Sequence, residues 1–250
     1  MESPRDRFLT VMGRKPVIEA LHDSDLEFDK ILLSRNAHGP EIDTITGMAA
    51  SRRVAVELVS DTKVTAVART NRHHQGVVAD VVSPAMQHLA DFCERRRRGK
   101  DWACNVLVLD HVHNPANVGM ILRSATAAGV HGIVVPHKGT AEVGPVAIKA
   151  SAGVAFRAPI LRVGDVAEAL SILADNRFAV IGLDRGGEPL FGAELPERAA
   201  FVIGNESAGL SAEAAAACSR VLSIPLANGV ESLNAAVAAS LVAYELSREI

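Results

Sequence analysis

The chain has few cysteines, no long apolar run and no positive surplus, and each absence excludes something. Three cysteines in 250 residues, Cys93, Cys104 and Cys218, form no CxxC pair and cannot all be bridged. This suits a reducing compartment, not a disulfide scaffold. The N-terminal stretch MESPRDRFLTVMGRKP lacks an apolar segment of the kind that opens a secretory signal. No 18 apolar residues run together, so no membrane span is expected. Cytoplasmic residence is the resulting expectation. Net charge is −3, from 26 Lys/Arg against 29 Asp/Glu, which excludes coating of a nucleic acid by bulk charge. GxGxxG, GxxxxGK[ST] and GxSxG are all missing, so dinucleotide, P-loop and nucleophile-elbow chemistry have no support. The pairs His73–His74 and His111/His113 have no further ligands at metal spacing, and no metal site is expected.

Hydrophobic residues make up 48% of the chain and charged residues 22%, the composition of a globular protein. The charge is unevenly placed. Residues 1–94 hold 11 Lys/Arg against 14 Asp/Glu, and residues 101–250 hold 10 against 15. All the positive surplus lies between, in Arg95, Arg96, Arg97, Arg98 and Lys100.

Apolar runs alternate with helical spacing along the whole chain, which implies α/β architecture. In residues 1–83 the expected order is helix (Val17–Leu21), strand (Lys30–Leu33), helix (Glu41–Ser51), strand (Val54–Leu58), helix (Lys63–Ala68) and strand (Gly76–Val82). Residues 84–103, opened by Pro84, with room for a short helix and closed by RRRRGKD, read as a linker. Residues 104–250 read as a parallel sheet with covering helices. Continuous apolar strands are expected at Asn105–Leu109, Gly132–Val135, Phe178–Leu183 and Ala200–Gly204, and a last helix at Ser232–Arg248.

Three segments of this second part carry polar residues where strands end, the place where open α/β sheets bind ligands. In LDHVHNPANVGMILRSATAAGV, a strand runs into a Pro-containing loop and a helix starting near Asn117, with Arg123 six residues on and Gly119 allowing close backbone approach. In FVIGNESAGL, a strand runs into Gly204, Asn205 and Glu206. In IPLANGVESLNAAVAASLVAYE, a strand enters a polar loop and Ser232 is expected to cap a long apolar helix. Taken singly, these are a capped helix, a strand–helix turn and a core or dimer helix.

Together the segments resemble the SpoU-TrmH family of RNA ribose 2′-O-methyltransferases, within the SPOUT superfamily. The matching residues are Asn117, Gly119 and Arg123, then Gly204, Glu206, Gly209 and Leu210, then Ile224, Pro225, Ser232, Leu233 and Asn234. The N-terminal GRKPVIEAL and HHQGVVADV are similar to the L30e-like substrate-binding domain of many members, the layout of the bacterial 23S rRNA guanosine methyltransferases. The resemblance implies a C-terminal SPOUT domain with a deep trefoil knot and a homodimer using the last helix. It implies S-adenosylmethionine as cofactor, against Leu183, Gly204, Asn205, Ile224, Leu226 and Leu233. The reaction implied is methylation of a ribose 2′-hydroxyl in RNA, most simply 23S rRNA; a tRNA substrate or an antibiotic-resistance role shares the layout. Arg123 would clamp a phosphate beside the hydroxyl, since a guanidinium is a poor base, and Asn117, Glu206, Ser232 and Asn234 would orient Arg123 and the ribose. RNA contacts are expected at Lys63, Arg69, Arg72, His73 and Gln75, in a stretch without acids between Asp61 and Asp80. A non-enzymatic RNA-binding protein, and a small-molecule enzyme on the same sheet, are the rival readings.

Overall fold

A computed structural model describes residues 7–68, 74–98 and 103–247. The chain forms two compact units that divide after Pro84.

The first unit carries strands β1 (Phe8–Met12), β2 (Phe28–Ser34), β3 (Val56–Val59) and β4 (Val77–Val82), and helices α1 (Arg14–His22), α2 (Pro40–Ser51) and α3 (Asp61–Ala68). The sheet order is β1-β4-β2-β3, antiparallel except for the β2–β3 pair. Val17, Ile31, Ile45, Val64 and Val77 are fully buried in its core. All six expected elements are present. The seventh, β1, was not anticipated: five residues alternating between buried and half-buried, interrupted by Thr10, give too short a periodic signal. Its pairing with β4 sets Thr10 opposite Asp80, and the Thr10 hydroxyl donates to the Asp80 carboxylate at 2.8 Å.

The second unit has a seven-stranded sheet in the order β11-β9-β10-β6-β7-β8-β5, with every pair parallel. Its strands are β5 (Gln87–His88), β6 (Cys104–Leu109), β7 (Gly132–Pro136), β8 (Ile160–Val163), β9 (Ala179–Pro189), β10 (Arg198–Ile203) and β11 (Arg220–Ser223). Helices are α4 (Leu89–Arg98), α5 (Pro115–Ala127), α6 (Pro145–Ala150), α7 (Val166–Asp175), α8 (Ala212–Ala217) and α9 (Ala235–Ser247). Residues of α4, α7 and α8 share one apolar cluster with the sheet, while α5 packs with α6 and α9. A sheet with both faces covered explains why β6 and β10 read as unbroken apolar runs.

Two expectations are corrected here. Residues 84–103 are not a linker over Gln87–Arg98: β5 pairs with β8, and Leu89, Phe92 and Cys93 of α4 are buried in the core. The four successive arginines at the end of α4 mask the apolar face that begins the helix. Ser232 does not cap the last helix. That helix starts at Ala235, and the Asn234 side chain accepts from the amides of Ala236 at 2.9 Å and Val237 at 3.4 Å. Asn and Ser are both good capping residues, and the intervening Leu233 makes the register ambiguous in sequence. Among the described residues, no helix is long and apolar enough to cross a membrane.

Candidate functional site

A cavity of about 290 Å³ opens at the carboxyl ends of β10 and β11 and against the middle of β9. It is lined by Leu183–Arg185, by Ile203–Gly209, and by Ile224, Leu226, Glu231–Leu233, Ala235 and Ala238. Of the residues expected to hold a cofactor, Leu183, Gly204, Asn205, Ile224, Leu226 and Leu233 all line it.

The loop after β10 is shaped by backbone and carboxamide. Asn205 and Gly209 exchange both backbone hydrogen bonds at 2.9 Å, and Gly209 adopts φ +72°. Gly204 is required by crowding: a Cβ there would lie 2.4 Å from the Gly209 carbonyl oxygen. The Asn205 carboxamide oxygen accepts from the amides of Ser207 and Ala208, and its nitrogen donates to the His111 carbonyl at 3.0 Å. Asn205 therefore borders the cavity as a builder of its wall, with its polar atoms already engaged.

The same loop is gripped from below by Asp110, a fully buried residue at the end of β6. One carboxylate oxygen accepts from the Ser211 amide at 2.6 Å, and the other lies 2.6 Å from Nδ1 of His111. A buried carboxylate is tolerated only with such partners. Ser211 in turn caps α8 by accepting from the Ala214 amide. Sequence reasoning placed Asp110 at a strand end but gave it no role; a lone Asp before a loop carries no signal that its partner lies 101 residues away.

Beside the cavity, the side chains of three predicted positions join. Asn117, buried in the first turns of α5, donates through Nδ2 to the Glu206 carboxylate and accepts through Oδ1 from Asn234 Nδ2, the latter at 3.0 Å. One carboxamide thus fixes both the second and the third motif segments. Helix α5 is positioned for this by its own cap, Asn114, which accepts from the Ala116 amide, and by Pro115 at the first helical position. Gly119 lets α6 approach: a Cβ there would fall 2.2 Å from the Ala147 carbonyl oxygen.

Arg123 does not join this group. A six-residue step turns it about 120° around the helix from Asn117, and its exposed side chain makes no hydrogen bond or ion pair among the described residues. Ser232 lines the cavity, as Glu206 does, and makes no hydrogen bond to it. The cavity rim also carries Asp184, Arg185 and Glu231, which the sequence reading did not single out.

The expected RNA contacts of the first unit are only partly described. Arg69, Arg72 and His73 lie outside the described residues. Lys63 is exposed and 4.0 Å from Glu57. Gln75 is occupied with folding: at φ +49° it accepts from the Arg14 amide at 3.1 Å, at the start of α1. His74 is buried. Its Nδ1 accepts from the Gly76 amide at 3.0 Å, which fixes the proton on Nε2, 3.2 Å from the Thr65 hydroxyl.

The three thiols are held protonated above their ordinary range. Burial pushes Cys93 up to about 11, and raises Cys104 and Cys218 as well.

Comparison with known proteins agrees with this geometry. The profile of the SpoU rRNA Methylase family matches residues 105–244, and that of the RNA 2′-O ribose methyltransferase substrate-binding domain matches residues 10–87. A TrmH-family protein of Staphylococcus aureus, of the tRNA/rRNA methyltransferase class, is 33% identical over 96% of this chain and 95% of its own. An uncharacterized tRNA/rRNA methyltransferase of Mycobacterium leprae is 36% identical over 98% of this chain and 78% of its own. Among solved structures, the SpoU methyltransferase AviRb of Streptomyces viridochromogenes, in complex with AdoMet, superposes with a TM-score of 0.64 at 26% identity, over 97% of this chain and 90% of that one. Two motif segments lining one cavity, a third joined to both through Asn117, and a family profile spanning most of the second unit place the chain in the SpoU rRNA Methylase family.

Proposed function

We propose that the protein methylates a ribose 2′-hydroxyl of RNA, with 23S rRNA as substrate and S-adenosylmethionine as cofactor. The observation that carries this is the cavity-lining Glu206, fixed from outside the cavity by Asn117, which also accepts from Asn234. When bound, S-adenosylmethionine supplies an electrophilic methyl group on a positively charged sulfur. The cavity suits such a group. Leu183, Ile203, Ile224, Leu226 and Leu233 offer apolar wall for a base, and the carboxylates of Asp184, Glu206 and Glu231 favour a cation. At Gly204 and Gly209 the turn leaves backbone groups at the wall beside the Glu206 side chain.

A ribose hydroxyl is a weak nucleophile and gains most from fixed alignment. Asn117 holds Glu206 from one side while Asn205 and Asp110 hold its loop from the other, so the acceptor meets a carboxylate with little freedom left. Arg123, permanently charged, serves as a phosphate clamp and not as a base. It stands on a surface where Met120, Val237 and Tyr244 are 41%, 48% and 53% exposed. Exposed apolar residues on two packed helices support a homodimer through α5 and α9, with Arg123 at the contact. The trefoil knot belongs to the same reading.

The test is chemical mapping of 2′-O-methylation in total RNA from cells with and without the protein. One ribose in 23S rRNA should lose its methyl group on deletion and regain it on complementation. A lost methyl group in tRNA instead would move the substrate; unchanged RNA methylation would sink the reading.

A further inference from the structure

Because every strand pair of the second unit is parallel, its sheet has two chemically different edges. The cavity occupies the edge of carboxyl ends. Helix α4 leaves β5 and returns the chain to the start of β6, so its last turn, Arg95–Arg98, comes to the edge of amino ends. Packing and register support the placement. Phe92 and Cys93 of α4 share a buried cluster with Cys104, the first residue of β6. Arg198, the first residue of β10, stands opposite Cys104 in the strand register and donates to the Asn176 carbonyl at 3.0 Å. Arg177 follows directly, exposed, at φ +63°.

Six arginines from three chain segments thus gather at one edge. The acids nearby in sequence are fewer. Glu94 pairs with Arg98, and Asp91, Asp101, Asp175 and Glu197 are the others. Arg95, Arg97 and Arg177 are exposed and make no hydrogen bond or ion pair among the described residues. A helix C-terminus favours a cation, but the benefit is confined to the last turn and is small, on the order of 0.3–1 kcal/mol at an exposed site. It does not account for four adjacent guanidinium groups and a fifth from another segment. The cavity rim has the opposite character, with Asp184, Glu206 and Glu231 against one Arg185.

We propose that the Arg95–Arg98 and Arg177 cluster is an RNA-backbone contact surface of the second unit, remote from the reaction. The proposal rests on the reading of the chain as an RNA methyltransferase. Planar guanidinium forks match phosphate oxygens in pairs, and adjacent ones match successive phosphates. Strands of six residues separate the two edges by about 20 Å. The RNA must therefore extend well past the methylated ribose to touch both.

The test compares the full-length protein with its Arg95→Gln/Arg97→Gln/Arg177→Gln form, leaving the Arg98–Glu94 pair intact. Filter binding to a 23S rRNA transcript is measured over a salt series, with methyl transfer to the same RNA and calorimetric binding of S-adenosylmethionine. Affinity for the transcript should fall about tenfold at 0.1 M salt, and the slope of log K against log salt should flatten by about two. Turnover at saturating RNA and S-adenosylmethionine affinity should stay unchanged. RNA affinity and slope equal to the parent's would overturn the proposal, as would loss of binding to an acidic protein with RNA binding intact. If the parent binds the transcript but methylates no RNA, the proposed function fails, while the binding comparison still decides this surface.

Discussion

Asp110 shows how much a single buried carboxylate can organise. It is held between the Ser211 amide and the His111 ring, so it ties the end of β6 to the far side of the loop that walls the cavity. Asp110→Asn leaves one acceptor oxygen where two are used, and one donor loses its partner. The expected cost is about 1–3 kcal/mol in unfolding free energy. S-adenosylmethionine affinity should weaken roughly tenfold, corresponding to about 1.4 kcal/mol of misplaced loop. Calorimetry at matched folded fraction checks this; an unchanged affinity would mean that the loop keeps its shape without the clamp. Asp80 is the contrasting case. Burial raises its pKa, outweighing the Thr10 hydrogen bond that lowers it. Its carboxylate is thus easier to ionise in the unfolded chain than in the folded one. Stability contributed by this site is present below the unfolded value of 3.8 and is lost as pH rises through the folded one. Asp80→Asn, which keeps an acceptor for Thr10, should raise the melting temperature at pH 7, and the difference should vanish near pH 3.

Helix α5 is the element on which the site depends. Its cap, its buried Asn117 and its contact with α6 fix where the motif residues stand. Gly119→Ala places a methyl group on the Ala147 carbonyl, so the two helices must separate. The expected loss is at least about 1–3 kcal/mol, together with weaker coupling of Asn117 to Glu206; chemical denaturation and turnover measure the two effects. At this scale the sequence was largely legible. Uninterrupted apolar runs marked β6 and β10. What escaped was set by partners distant in sequence. Strand β1 exists because β4 pairs with it, and α4 is held because Phe92 and Cys93 find the sheet. The site followed the same rule. Asn117, Glu206 and Asn234 were named from their motifs and do meet, but the position of Arg123 relative to them depends on helix phase, which a six-residue spacing does not bring round.

For the whole molecule, the exposed stripe on α5 and α9 bears on assembly. Val237→Glu puts a charge among Met120, Val237 and Tyr244. In the proposed homodimer this should shift sedimentation at micromolar concentration toward the monomer and lower turnover at least tenfold, because Arg123 would lose its contact. A variant that sediments and turns over like its parent would remove the dimer from the mechanism.

The two edges of the parallel sheet have a consequence for kinetics. The proposed arginine surface at one and the carboxylates of Asp184, Glu206 and Glu231 at the other would give the second unit a dipole along its strands. In the field of a polyanion such a body experiences a torque before contact is made. Encounters would be turned arginine end first. The acidic rim of the cavity would then reach its ribose by a later movement along the strand axis, and not by direct collision.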